Sequence, residues 1–417
     1  MKSFKTYLKE DKGGKNLHLE HIEDEIINFG FNGGRAAINF LQSLRDMLAG
    51  DANSKVNMTV KWDGAPAIFA GIDPSDKKFF VAKKSVFNAT PKLYKTIQEI
   101  DNDKLSPALN SKFKVALTEF SKLGIKGVLQ GDLMFTDDVE SKNIDGIDYY
   151  TFQPNTLIYA VQKSSSIGKQ VNTAKIGVVW HTTYKGTDLQ SMSASFGADI
   201  SKLSKVSSVW MDDATYKDVS GTAKMTSTET ELVTKALSAT GRAFQKIKKS
   251  DFEKFQKIQI ESMKGTLSGA SFKTYLNTFI RSGDNISLSR AKKLDYAMYV
   301  KKYFDEKIIV KLKTEKAQKA KAELRDQLVK DLLSLNSTVV NIIQFMENVV
   351  EAKTLIVKKL NKIQQMAKVF IKTKNGYQIS NVEGYVAIDT DGTTAVKLVD
   401  RLEFSYNNFT AAKNWDK

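Results

Sequence analysis

The chain has 417 residues, enough for two domains or for one domain carrying a large insertion. It holds no cysteine and three histidines, which excludes disulfides, thiolate metal sites and cysteine nucleophiles and argues against a histidine-built zinc site. Lys and Arg number 63 against 47 Asp and Glu, and the net charge of +16 suits either a polyanionic partner such as nucleic acid or simply a basic surface; no apolar run is long enough to span a bilayer.

The first residues, Met1 to Glu10, form a short basic amphipathic segment followed by the polar run Asp11 to Lys15, too poor in apolar residues for a secretory signal. This segment resembles the capsid-targeting peptides of internal head proteins of large tailed phages, with Leu8-Lys9-Glu10 at the place where the head protease would cut; a frayed tail is the plainer alternative. From Leu17 to Gly50 the spacing is helical. Leu19, Ile22, Ile26 and Phe29 share one face, Asn32-Gly33-Gly34 reads as a turn, and Ile38, Leu41, Leu44 and Leu48 make a second stripe. His18 and His21 sit at a helical spacing that does not close a metal shell, so they are expected on a solvated face.

Next comes Val56 to Lys61, alternating in apolar character, followed by Asp63-Gly64 and the apolar run Ala67 to Ile72, which predicts strand, tight turn and strand with Lys61 at the turn. A lysine placed there can be desolvated and crowded by other cations, which would lower its pKa and make it a nucleophile. A further strand ends at Ala82-Lys83-Lys84-Ser85. Gln130-Gly131-Asp132-Leu133 lies in another, and Thr156 to Val161 and Lys175 to Trp180 are two more. All five prolines precede residue 155, and from about Asp199 to Ala367 the composition turns helical, with apolar stripes such as Val339, Ile342, Ile343, Met346 and Val350. Lys311, Lys313, Lys316, Lys319 and Lys321 give this region a basic face that would either track phosphates or stay solvated. Strand character returns at Val369 to Ile371, Val382 to Ile388 and Thr394 to Val399, with a turn at Asp391-Gly392. A lone terminal strand pair is unstable, so it must join the earlier sheet, and the helical region is then an insertion.

Four of these segments, Lys61-Trp62-Asp63-Gly64, Gly131-Asp132-Leu133, Val382-Glu383-Gly384-Tyr385-Val386 and Val396-Lys397-Leu398-Val399, stand in an order that resembles the covalent nucleotidyltransferase superfamily of ATP-dependent RNA and DNA ligases and capping enzymes. The resemblance implies an α+β fold, an ATP-grasp-like antiparallel-sheet nucleotidyltransferase domain over residues 16–195 and 366–417 with an all-α insertion over 196–365, after a flexible segment 1–15. It implies a lysyl-AMP intermediate on Lys61, with Asp63 orienting the turn and Lys84 and Lys397 lending positive charge to the phosphates and keeping Lys61 unprotonated. Gly64 would sit against the nucleotide, Glu383 and Asp132 would hold Mg²⁺ (or Mn²⁺), Asp132 would also touch the ribose, and Tyr159 would stack on adenine.

Three positions depart from the pattern: Asp132 stands for the usual Glu, Lys84 for a common Arg, and one lysine for a Lys-x-Lys pair. The residues after Val399 are too few for an oligonucleotide-binding barrel, which favours an RNA-ligase-like enzyme. The implied activity is polynucleotide sealing, RNA before DNA: AMP passes to a 5′-phosphate, which is then joined to a 3′-hydroxyl, in the host cytoplasm during phage infection or packaged in a phage head. Two alternatives stand beside it, a nucleotidyltransferase with a non-ligase acceptor and a basic virion-packaged nucleic-acid-binding protein. The sequence leaves the oligomeric state open.

Overall fold

A computed structural model gives the fold and describes residues 20–50, 56–215, 224–362, 367–373, 376–389 and 395–402. The N-terminal segment, His18 and the turn at Asp391-Gly392 lie outside these residues.

The alternating segments form strands β1 (Val56–Lys61), β2 (Ala67–Ile72), β3 (Phe79–Ala82), β4 (Val128–Phe135), β5 (Glu140–Ile144), β6 (Ile147–Phe152), β7 (Ile158–Gln162), β8 (Ile176–Lys185), β9 (Ser193–Phe196), β10 (Val209–Asp212), β11 (Lys368–Thr373), β12 (Gly376–Ser380), β13 (Gly384–Asp389) and β14 (Ala395–Val399). They make three sheets, ordered β1-β13-β14, β10-β8-β4-β2-β3 with β9 also on β8, and β12-β11-β7-β6-β5. Pairing is antiparallel except between β10 and β8. The fold is therefore mixed α+β with antiparallel sheets, and the late strands do return to the early ones: β13 pairs with β1, and β11 with β7.

Helix α1 (Glu25–Ala49) buries Ile26, Leu41, Leu44 and Leu48 and ends at Gly50, whose φ of 96° supplies the left-handed cap. The turn expected at Gly33-Gly34 is absent there because both glycines are helical; the chain kinks instead at Phe29 and Gly30, where φ is 68° at the glycine. Gly34 is small for packing: an added Cβ would stand 2.7 Å from Phe244 Cε2. Helices α2 (Ile97–Asn102), α3 (Pro107–Phe120) and α4 (Ser166–Thr173) flank the sheets.

The helical run is α5 (Ser227–Gln245), α6 (Lys249–Ser262), α7 (Phe272–Arg281), α8 (Leu288–Lys293), α9 (Tyr296–Tyr303), α10 (Glu315–Ser334) and α11 (Asn336–Asn361). Its first helix opens on a capping box, Thr226 with Glu229. The expected boundary at residue 195 is corrected by the sheet, which runs on through β9 and β10 to Asp212. Nor does the helical run stand apart. Helix α1 packs into it, Phe31 against Phe244 at 4.3 Å between ring centres and Phe244 against Phe345 at 5.4 Å. The back of the small sheet, through Met58, Val60, Tyr385, Ala387, Val396 and Leu398, shares that same core. A second core lies between α3 and the larger sheet, where Phe113, Phe120 and Trp180 are fully buried. Among the described residues no helix is long and apolar enough to cross a membrane.

Candidate active site

Strand pairing puts Lys61 and Lys397 on one surface. Thr59 and Lys61 of β1 lie opposite Val386 and Gly384 of β13, and Val386 lies opposite Lys397 of β14. Cross-strand partners share a face and side chains alternate, so Thr59, Lys61, Val386, Ile388 and Lys397 project from one face while the core residues project from the other. That face meets the β4 and β8 end of the larger sheet across a cleft of about 80 Å³, lined by Lys61, Asp132, His181, Phe196, Val386 and Ile388. Lys61 is ion-paired there with Glu383, the residue just before β13.

The turn that carries Lys61 is clamped from below. Asp63 is buried, and its carboxylate accepts hydrogen bonds from the Asn155 side chain at 2.7 Å and from the backbone N–H groups of Thr156 and Leu157 at 2.8 and 3.0 Å. Its own N–H donates to the Tyr159 hydroxyl at 2.7 Å. Asp63 thus anchors the turn. Tyr159 does not have the expected place. Its ring is 1% exposed, packed against Trp62 at 4.9 Å and Phe152 at 5.7 Å, so it supports the turn from within the core and leaves no face for a base. Gly64 is required by close approach: a Cβ there would stand 2.5 Å from Asp132 Cβ and 2.9 Å from the Leu133 carbonyl. Asp132 itself, opposite Ala67 in the strand register, is half-buried at the cleft.

Electrostatics correct a second expectation. Burial pulls the Lys61 ammonium down, but the charges of Glu383, Asp132 and Asp63 outweigh it and hold the group above the ordinary lysine range. Burial, and then the neighbouring carboxylates Asp63 and Asp132, push Glu383 up, although Lys61 pulls the other way. Both shifts reflect three carboxylates around one ammonium, so Lys61 is protonated here rather than an unprotonated amine. Lys397 is the depressed lysine: burial, then the Lys61 charge, bring it to about 8. Lys84 stands exposed on the turn after β3, at the end of the sheet where Ala67 meets Asp132, and is not among the strongest charges acting on Lys61. His21 is not on a solvated face. It bridges to Lys397, and burial together with Arg401, Lys353, Lys397 and Lys273 holds it well below the ordinary histidine range.

Among the described residues no group of three His, Asp or Glu side chains converges as a closed metal shell. Glu383 and Asp132, which both act on Lys61, form a two-carboxylate set, and that suits a magnesium ion that completes its shell from phosphate oxygens and water.

A family model described as "Family of unknown function (DUF6267)" matches residues 16–413. The chain belongs to this family. No curated protein and no solved structure matches it.

In this DUF6267 chain the cleft also holds residues the motifs did not mark. The register of β4 with β8 slips between Gln130 and Gly131, so that Gln130 faces Thr182 and Gly131 faces Trp180, which leaves His181 as the extra residue. Its Nε2 lies 3.7 Å from an Asp132 oxygen. Phe196, from the short strand β9, packs on Val386 and Ile388 across the cleft. Neither position carries a local sequence sign, because a bulge and a cross-sheet contact depend on the partner strand.

Proposed function

We propose that the cleft is the nucleotide site of an ATP-dependent polynucleotide ligase acting through lysyl-AMP, with a nucleotidyltransferase domain of the ATP-grasp-like kind. The observation that carries the reading is the gathering of Lys61 and Lys397 on one sheet face, with Glu383 ion-paired to Lys61 and Asp132 across the cleft, from segments far apart in the chain. In the first step the Lys61 amine attacks the α-phosphorus, a P–N bond forms, the bond to the β-phosphate oxygen breaks, and pyrophosphate leaves. Magnesium or manganese bound at Glu383 and Asp132 would neutralise phosphate charge. Lys397 supplies a cation on the same face, and Asp63 and Gly64 hold the turn against Asp132. Lys61 is protonated while Glu383 pairs with it, so the described state is a resting one, and attack requires Glu383 to turn away and the ammonium to lose a proton to solvent. The cleft is also smaller than the roughly 300 Å³ of an ordinary small-ligand pocket, so a nucleotide enters only as the two faces part.

The AMP would then pass to the 5′-phosphate of an RNA or DNA end for joining to a 3′-hydroxyl. Support for a polyanionic acceptor comes from Lys311, Lys313, Lys316 and Lys319, which are exposed and carry no ion pair among the described residues. The same surface favours the second reading, a nucleic-acid-binding protein packaged in a phage head. The ligase reading itself sets the protein in the host cytoplasm during infection.

The test is incubation with α-³²P-labelled ATP and Mg²⁺ beside Lys61→Ala on a denaturing gel. A labelled band lost in the variant is expected. No label with ATP, GTP or NAD sinks the enzyme reading and leaves the binding protein.

A further inference from the structure

Behind the cleft the protein buries four charges that no step of the chemistry uses. Glu23 and Asp24 sit in the turn before α1, Lys353 in α11, and Arg401 just beyond β14, at 0%, 1%, 2% and 6% exposure. The Lys353 ammonium donates to both Glu23 oxygens, at 2.9 and 3.0 Å, and to the Val399 carbonyl at 2.9 Å, which accounts for all three of its N–H groups. The Arg401 guanidinium reaches Glu23 at 3.3 Å and also pairs with Asp24. Buried ions lose in desolvation much of what they gain in attraction, so such a network is a weak source of stability, and its place in the fold suggests another use.

That place is the outer edge of the sheet bearing the lysines. Among the described residues strand β14 has β13 as its one strand neighbour. On its other side the Lys397 N–H donates to the Glu20 carbonyl at 3.0 Å, and the Val399 carbonyl takes the Lys353 ammonium. The backbone on both sides of Leu398 is therefore fixed from outside the sheet, by the segment before α1 and by a lysine of the helical layer. Glu23 joins the two fixings because it pairs with both Lys353 and Arg401.

We propose that Lys353 and Arg401 are positioning residues for Lys397, and that through them the helical layer sets the geometry of the lysine cleft. The functional meaning rests on the lysyl-AMP reading, but the positioning can be measured without ATP. Lys397 is faced by Lys61 and Glu383 from the cleft, by Glu20 and His21 from the N-terminal side, and by Arg401 from beyond its own strand. Its burial among them brings it to about 8, so its midpoint reports how firmly β14 is held.

The experiment is NMR titration of the full chain labelled with ¹³C at the lysine ε-carbons, with the Lys397 signal identified by its loss in Lys397→Arg. A midpoint near 8 is expected in the parent; in Lys353→Met, and in Arg401→Lys, which keeps the cation that itself lowers Lys397, it climbs towards the ordinary 10.5, and in Lys353→Arg it falls back. Should the single variants fail to fold by circular dichroism, Glu23→Gln/Lys353→Met removes the opposed charges together and still deprives Val399 of its donor. A folded variant without the Lys353 donor whose Lys397 midpoint has not moved overturns the proposal, as does a parent midpoint in the ordinary lysine range. A parent that shows the shift but takes no label from ATP sinks the ligase reading and leaves the positioning intact.

Discussion

Asp63→Ala tests whether the acid of Lys-Trp-Asp-Gly is an anchor. Its carboxylate accepts from three donors, and of these the Leu157 N–H is buried while Asn155 and Thr156 are half-buried and can turn to water. Orphaning one buried donor costs about 1–3 kcal/mol, and losing each of the two partly solvated bonds to a charged acceptor costs about 1 kcal/mol more, so the variant should lose roughly 3–5 kcal/mol. Urea unfolding followed by tryptophan fluorescence would read this, since Trp62 and Trp210 pack beside the turn. Tyr159→Phe removes the acceptor of the Asp63 N–H and should cost about 1 kcal/mol. The double variant should fall short of the sum, because both residues hold one turn. An Asp63→Ala protein within about 0.5 kcal/mol of the parent would refute the anchor.

Other outcomes follow from the same geometry. Gly64→Ala drives a Cβ to 2.5 Å from Asp132 Cβ, against a backbone that cannot yield, and should cost about 1–3 kcal/mol of overpacking in a thermal melt; an unchanged midpoint would place Asp132 elsewhere. Self-labelling by ATP should speed up as pH rises from about 7 to 9, because Lys61 is held protonated above the ordinary lysine range, and a flat profile would contradict that pairing. The Thr226 N–H, then Lys359 and Lys362, hold Glu229 at about 2 against an ordinary 4.5. Its folded pKa is the lower one, so its stabilisation is complete above 4.5 and disappears as pH falls to about 2. The urea midpoints of the parent and Glu229→Gln should therefore converge across that window, and a gap that persists at its acid end would exclude this pairing.

Much of the fold was legible where one element reports its own environment. The period-2 runs at Val56 to Lys61 and Thr394 to Val399 became β1 and β14, and the stripe Val339, Ile342, Ile343 and Met346 became part of the buried face of α11, with Val350 at its margin. Lys61, Asp132, Glu383 and Lys397 were found as short motifs; the register joins Lys61 and Lys397, the cleft between sheets brings in Asp132, and an ion pair brings in Glu383. What failed depended on partners. Tyr159 reads as an aromatic in a strand whichever side it faces, and only the packing of Trp62 and Phe152 puts it inside. Gly33 and Gly34 looked like a turn because the sequence does not show Phe244 lying against Gly34, or the Glu25 carbonyl against Gly33. The pairing of Lys353 with Glu23 joins residues 330 positions apart, and nothing local in either segment announces the other.

The order in which the small sheet is assembled has a consequence in time. Its first strand, bearing Lys61, leaves the ribosome early, yet Glu383 follows 322 residues later and β14 later still. At synthesis rates of roughly 5–20 residues per second, β1 waits on the order of tens of seconds for its neighbours. Closing so long a loop also makes this pairing entropically late. Until then Met58 and Val60 have no sheet partner in β13, and the lysine lacks its ion pair with Glu383. A nascent or truncated chain therefore has the motif without its neighbours, and Lys61 meets Glu383 and Lys397 only late in folding.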